Sequence, residues 1–318
     1  MLQYITRRLG MAVAQVWIVT TVVFFFVFLL PGDPADIILG SSEDYQPSKE
    51  QLERVRARLG LDQPVPVQYV KYLAGVVRGD LGSSFANQRP VLLDLGVRLP
   101  RSLQLIIPAA IISSILGIAL GVCAAYFRGS WLDTGLSTIS LVGFSLPVFV
   151  TGNIMVLIFA IHFKMVPSSG YADLFTDFSR WLRYAILPIA SLSLAPTATI
   201  MRMTRASMVE QLGQDYVRTA RSKGVRTPVV VFRHVLKNAM LPVVTVIGLQ
   251  IGGMFVGSLL VEQVFNWPGL SSLLIHAIQH RDYPIIQGTI LLSSFIFILI
   301  NLLTDVSYSF LNPRLHYD

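Results

Sequence analysis

His276 and His280 are four residues apart, a spacing that puts two imidazoles on one helix face and makes them the obvious place to look for a metal. No cysteine lies nearby, and Asp282 is the only neighbouring carboxylate, so a ligand set is incomplete and no metal site is assigned. Catalytic constellations are absent as well. The sequence holds no Gly-x-Ser-x-Gly elbow, no His-Glu-x-x-His and no Gly-x-x-x-x-Gly-Lys-Ser/Thr phosphate loop. No catalytic residue is assigned, and the chain is expected to be neither an enzyme nor a cofactor carrier. Cys123 is the single cysteine, which excludes an intrachain disulfide. What the charged residues do form is one basic segment. Between Met201 and Leu241 lie eight Lys/Arg (Arg202, Arg205, Arg218, Arg221, Lys223, Arg226, Arg233 and Lys237) against Glu210 and Asp215. That segment supplies +6 of the net +7. Between apolar spans such a loop is a topology signal before it is a binding patch, and nucleic acid is not expected as a partner.

The elements that must position these residues are set by composition. Of 318 residues, 53% are hydrophobic and 14% are charged. A soluble domain carries about 25% charged residues, so this chain lacks the polar surface to stay in water. Six stretches free of Asp, Glu, Lys and Arg are long enough to cross a bilayer core: Met11–Leu30, Ser102–Phe127, Thr134–Ile161, Tyr184–Met201, Asn238–Val261 and Tyr283–Thr304. Helices are expected throughout, because in lipid each segment must satisfy its own backbone hydrogen bonds. The first run is too long for a signal peptide and has no small-x-small cleavage site after Leu30, so it reads as an uncleaved anchor.

Orientation follows from the short loops. With the N-terminus inside, twelve Lys/Arg fall on inner segments (Arg7, Arg8, Arg128, the eight of the basic loop and Arg314). Four fall outside: Lys164, Arg180, Arg183 and Arg281. Both termini are therefore expected in the cytoplasm, with Pro31–Arg101 outside. Within that outer segment, Ser48 and Gln51 have the spacing of a capping box, and the following helix should end at Gly60. Gln68–Val77 gives a second short helix, broken at Gly79-Asp80-Leu81-Gly82.

No ionisable residue lies inside a span, where ion-coupled carriers place theirs. Unwound carbonyls could still serve sodium, so a secondary transporter stays as the alternative class. Gly117/Gly121, Gly248/Gly252 and Gly253/Gly257 have helix-packing spacing, within the chain or between subunits. Pro147, Pro188 and Pro196 predict kinks or breaks. In the basic loop, Asp215-Tyr216-Val217-Arg218-Thr219-Ala220-Arg221-Ser222-Lys223-Gly224 predicts a short helix opened by Asp215, with cations in its last turn and Gly224 closing it. Val217 and Ala220 share one face, with Arg218, Arg221 and Lys223 around it. That is either a solvated loop or a docking helix for another protein.

At this loop the sequence resembles the EAA-type loop of ABC importer permeases, from Asp215 through Gly224 to His234-Val235-Leu236-Lys237-Asn238-Ala239-Met240-Leu241-Pro242. More narrowly it is similar to the B-type subunit of the dipeptide/oligopeptide permease family. The resemblance runs the length of the chain, through Leu30-Pro31-Gly32-Asp33-Pro34-Ala35, Leu59-Gly60-Leu61-Asp62-Gln63-Pro64, Gly79-Asp80-Leu81-Gly82-Ser83-Ser84-Phe85 and Phe144-Ser145-Leu146-Pro147. It continues through Val166-Pro167-Ser168-Ser169-Gly170, Glu262-Gln263-Val264-Phe265 with Pro268-Gly269, and Arg281-Asp282-Tyr283-Pro284. One departure is local: the Glu-Ala-Ala positions of the general motif hold Arg218, Thr219 and Ala220, and Gly224 to Pro242 is a longer spacing. Both look like the peptide branch, and contacts of the general motif's glutamate do not transfer to Arg218.

The resemblance implies an all-α polytopic membrane protein of six transmembrane helices with the type I ABC importer transmembrane fold. Its implied parts are an N-terminal helix (1–30), an extracytoplasmic segment (31–101), a five-helix core (95–305) with a coupling loop (202–240), and a tail (306–318). Implied partners are a second homologous permease, two ABC ATPase subunits that bind the ATP and Mg, an extracytoplasmic solute-binding protein and membrane lipid. The implied function is binding-protein-dependent uptake of di- or oligopeptides across the bacterial inner membrane; nickel, glutathione or an oligosaccharide are the other solutes of the class. Asp215, Tyr216, Val217, Arg218, Thr219, Ala220, Arg221, Lys223 and Gly224 would form the ATPase-coupling helix. Ser145, Phe149, Asn153, Thr245, Gln250 and Met254, polar or adaptable residues on kinked or glycine-rich spans, are the pathway candidates. Packing or lipid-facing roles fit the same residues.

Overall fold

In the computed structural model the described residues are 2–27, Ala35, Leu39 and 47–311. The Pro31–Pro34 motif and Arg314 lie outside them. Among the described residues the regular structure is helical, with one isolated antiparallel bridge between Ser83 and Pro90. The helices are α1 (Leu2–Val27), α2 (Lys49–Leu59), α3 (Val65–Arg78), α4 (Val91–Tyr126), α5 (Trp131–Ser145), α6 (Val148–His162), α7 (Phe178–Leu212), α8 (Asp215–Ser222), α9 (Thr227–Val264), α10 (Leu270–Gln279) and α11 (Tyr283–Leu311). Five of them, α1, α4, α7, α9 and α11, are long and apolar enough to cross a membrane.

The third expected span, Thr134–Ile161, is broken where Pro147 predicts it: it comprises two helices, α5 and α6, bent by 102° at Leu146-Pro147. Pro147 has no N–H to give and disfavours helical geometry at the residue before it, and Leu146 accordingly sits at φ −85°, ψ 125°. Pro188 and Pro196 behave differently: α7 runs through both without interruption.

Contacts divide the chain into two compact units. The first comprises residues 1–5, 102–267 and 300–318. Its main core joins Leu105, Ile106 and Ala109 of α4 to Trp181, Ala185, Ile189 and Leu192 of α7 and to Met254 and Val261 of α9, closed by Phe265 and Trp267. The small-residue spacing serves packing within the chain. A Cβ on Gly117 would lie 2.7 Å from the Ile200 side chain, and one on Gly121 would lie 2.5 Å from Thr204, so these glycines let α4 run against α7. Gly248 has the same role against Thr304 of α11, whereas Gly253 meets nothing within 4 Å.

The second unit comprises residues 6–101 and 268–299. The expected capping box is present: Gln51 N–H donates to Ser48 Oγ and Ser48 N–H donates to Gln51 Oε1, while Gly60 closes α2 at φ +69°. Tyr69 and Tyr72 of α3 pack on Phe24 near the end of α1, and the Tyr69 and Thr21 hydroxyls are 2.7 Å apart. Burial pushes the Tyr72 hydroxyl up to about 12, and that hydroxyl finds no hydrogen-bond partner. The unit's core gathers Val91 and Leu95 of α4, Leu270 and Ala277 of α10, and Tyr283, Ile285 and Ile286 of α11.

Candidate docking helix and pathway residues

The short helix α8 is built by local signals at both ends. Gln214, with extended backbone (φ −75°, ψ 153°), precedes it and makes no side-chain cap, so Asp215 is the first helical residue rather than the cap. A carboxylate there complements the N-terminal dipole. At the other end Gly224 takes φ +77°, Gly224 N–H donates to Arg221 C=O at 2.9 Å, and Val225 N–H donates to Ala220 C=O at 3.2 Å. That double closure is a Schellman motif, and Val225 and Ala220 both pack half-buried against the same apolar cluster.

One face of α8 plugs into the first unit. Val217 is 1% exposed among Val122 and Ala125 of α4, Met208 of α7, and Val230, Val231, Val235 and Ala239 of α9. Tyr216 and Ala220 flank it half-buried, and Tyr216 donates to Gln211 Oε1 at 3.0 Å. The socket owes its shape to the start of α9. Residues Val230–Val235 are π-helical, and the wider turn brings three buried valines to the same side. Burying Val217 contributes about 1.5–3 kcal/mol. The opposite face is exposed and carries Asp215, Arg218, Thr219, Arg221 and Lys223. Arg218 and Asp215 are 3.6 Å apart but open to solvent, so their attraction is worth little. A short helix is thus held by an apolar plug, with its charged face left exposed.

The six pathway candidates do not share one environment. Ser145, Phe149 and Asn153 flank the Pro147 break with exposed side chains. Thr245 and Gln250 on α9 are half-buried, and Met254 is 2% exposed inside the main core. His276 and His280 stack with ring centroids 4.0 Å apart at the end of α10, and among the described residues no group of three metal-ligating side chains forms.

Glu262 and Asp133 fall outside the charge-free runs because their helices extend past those runs, and Asp282 lies in the turn before α11. Glu262, in the last turn of α9, is 1% exposed and accepts from Ser102 Oγ at 2.6 Å. Asp133 at the start of α5 forms a two-point pair with Arg205 of α7. Asp282 is 4% exposed and accepts from Ser84 Oγ, from Phe85 N–H at 3.0 Å and from Ala86 N–H at 3.3 Å. Glu262 and Asp282 both fall in strings that carried the family resemblance.

Five helices long and apolar enough to cross a membrane, with a short amphipathic helix on the loop between two of them, mark a polytopic membrane protein. The profile of the "Binding-protein-dependent transport system inner membrane component" family matches residues 117–317, and that of its N-terminal region matches residues 1–106. The chain belongs to this family: it is a multi-pass inner-membrane permease component of an ABC importer. It is 44% identical over 317 residues to the glutathione transport system permease protein GsiC of Escherichia coli strains K12 and CFT073, and 43% identical to that of Salmonella paratyphi A. Each alignment covers 100% of both chains. Among solved structures, an inward-facing conformation of the MetNI methionine ABC transporter superposes with a TM-score of 0.57 at 15% identity, covering 70% of this chain and 97% of that one. That likeness gives the type I importer fold.

Proposed function

We propose that this chain is the permease subunit of an ATP-driven, binding-protein-dependent importer of di- or oligopeptides. Both termini lie in the cytoplasm, and residues 31–101 face the solute-binding protein. A second, homologous permease completes the pathway, and two ATPase subunits supply the ATP and Mg chemistry that this chain lacks. Helix α8 docks on one ATPase. When the ATPases close on nucleotide, α8 moves, and its valine plug carries the motion into α4, α7 and α9. Alternating access then follows as a shift between two states. The observation that carries this reading is α8 itself, anchored by Val217 and exposed on its charged face.

Glutathione is the second reading, favoured by the glutathione transport system permeases that are 44% identical over the whole chain. It is itself a short peptide with free carboxylates, so the two readings differ in selectivity rather than in mechanism. Uptake of labelled dipeptide, oligopeptide and glutathione into proteoliposomes holding the complete importer, with its binding protein and ATP, tests both. ATP-dependent uptake of the first two supports the peptide reading. Uptake of glutathione alone supports the second. Uptake by the purified chain under an ion gradient without ATP overturns both in favour of a secondary transporter.

A further inference from the structure

Arg202 and Arg205 lie one turn apart on α7 and are partnered very differently. Arg205 is satisfied: its Nε and Nη2 donate to the two carboxylate oxygens of Asp133, which also accepts from Gly129 N–H at 3.0 Å. Arg202 has only a ring. Its guanidinium carbon sits 4.3 Å from the centroid of Phe144, and its Nε is buried without a hydrogen-bond partner. Among the described residues Arg202 forms no ion pair and no side-chain hydrogen bond.

Depth distinguishes the two further. Helices α5 and α7 run antiparallel, since Asp133 meets Arg205 at one end and Gly143 faces Leu194 and Ala198 at the other. From Asp133 to Phe144 is eleven residues, about 16 Å of helix at about 1.5 Å per residue. The Arg202 guanidinium is therefore carried back along α7, away from the basic loop and into the span. An arginine that merely flanks a span turns the other way, to water and headgroups. The backward tilt of helical side chains assists the inward turn but provides no partner for the charge.

Phe144 is half-exposed and stands just before the break at Leu146-Pro147, next to the exposed Ser145 and on the other side of the break from the exposed Phe149 and Asn153. The ring face attracts the cation while leaving the guanidinium's donors unused. Those donors form a planar fork that matches a carboxylate. We infer that Arg202, held on the Phe144 ring, is the residue of the translocation pathway that receives a substrate carboxylate. This rests on the peptide reading, because a peptide's C-terminus supplies the anion.

The test uses the complete importer in proteoliposomes and one peptide sequence in two forms, free acid and C-terminal amide. Uptake of each is normalised to the binding protein's affinity for it. Arg202→Gln is expected to lower the ratio of acid to amide uptake about 10- to 100-fold, the range for losing a charged hydrogen bond, with the loss in KM as well as in kcat. Arg202→Lys is expected to restore part of the ratio, which a purely structural role would not do. Phe144→Leu keeps the charge but loosens its seat and should lower the ratio less, also without an assembly defect. If Arg202→Gln fails to assemble, Arg202→Lys and Phe144→Leu are read by the same ratio. An unchanged ratio in the assembled variants overturns the assignment alone. A drop seen only in liposomes with anionic lipid, and lost in zwitterionic ones, assigns the guanidinium to a lipid phosphate and overturns it too. Wild-type importer that carries neither form overturns the peptide reading, and this inference with it.

Discussion

The docking helix α8 and the 82–90 loop are both short segments fixed to larger helices, by opposite means. Helix α8 is held by a non-directional apolar plug, Val217 in a cluster of valines and alanines. The loop is held by directional bonds to one buried carboxylate, Asp282, which accepts from Ser84, Phe85 and Ala86. An apolar plug tolerates rotation and sliding with little change in energy, whereas a hydrogen-bonded carboxylate fixes one register and makes departures costly. The difference lies in the attachment: that of α8 is non-directional, whereas that of the loop fixes one register.

The strongest way to break this contrast is to charge the plug. Val217→Asp puts an unpaired carboxylate among valines at a cost of several kcal/mol, so α8 should leave its socket. ATP-driven uptake by the assembled importer should fall more than about 100-fold, a drop of about 2.7 kcal/mol or more in coupling, while the chain still inserts. Protease cleavage within 213–226 reports the release, and a protected loop with normal uptake would refute the plug.

Asp282→Ala attacks the other side of the comparison. It strips acceptors from two backbone N–H groups and a hydroxyl, and should destabilise the loop by about 3 kcal/mol. Hydrogen exchange at residues 84–86 should accelerate, with uptake per folded complex reduced far less than by Val217→Asp. An equal loss of uptake would mean that the two attachments are not mechanically distinct.

Gly224→Val tests the closure of α8. A β-branched residue at φ +77° costs about 1–2 kcal/mol, so the helix end should fray and uptake should fall about tenfold at normal expression. Gly224→Asn, which tolerates that conformation, should retain most of the activity.

The smallest effect expected is at Tyr72. Its buried hydroxyl has no partner, so Tyr72→Phe should be neutral or stabilising by up to about 1 kcal/mol in thermal unfolding. The sign with pH follows from the raised value. Unfolded tyrosine ionises near pH 10, while the folded residue holds its proton to about 12, so stability falls as pH rises from 10 to 12. Tyr72→Phe should remove that slope, and an unchanged slope would show that the hydroxyl is solvated.

Much of this was legible in the sequence where the cause is local. Ser48 and Gln51 announce the capping box, and Gly224 announces the end of α8, because each acts on backbone within a few residues. Pro147 marked a disturbance, but a proline only deletes a hydrogen bond and restricts its predecessor. The 102° bend depends on what α5 and α6 pack against, so Pro147 marks the place of the break and not its angle. The Asp133–Arg205 pair joins residues 72 apart and Asp282 meets residues nearly 200 earlier, separations that no spacing rule reaches. Runs free of charge also understated the helices, which hid Asp133, Arg202 and Glu262 at their margins. Met254 illustrates the converse: a flexible side chain on a glycine-rich helix suits a pathway and a core equally, and it packs in the core.

The central claim is that the exposed face of α8 engages an ATPase. Its most direct test replaces the single cysteine, Cys123, with serine and places one cysteine at the exposed Thr219, then applies a short thiol-to-amine crosslinker to native membranes containing the assembled importer. The account predicts a crosslink from Thr219→Cys to an ATP-hydrolysing subunit, changing in yield when nucleotide is added, and none from the exposed Val77→Cys. An importer that assembles and hydrolyses ATP normally but gives no such crosslink from Thr219→Cys would contradict it.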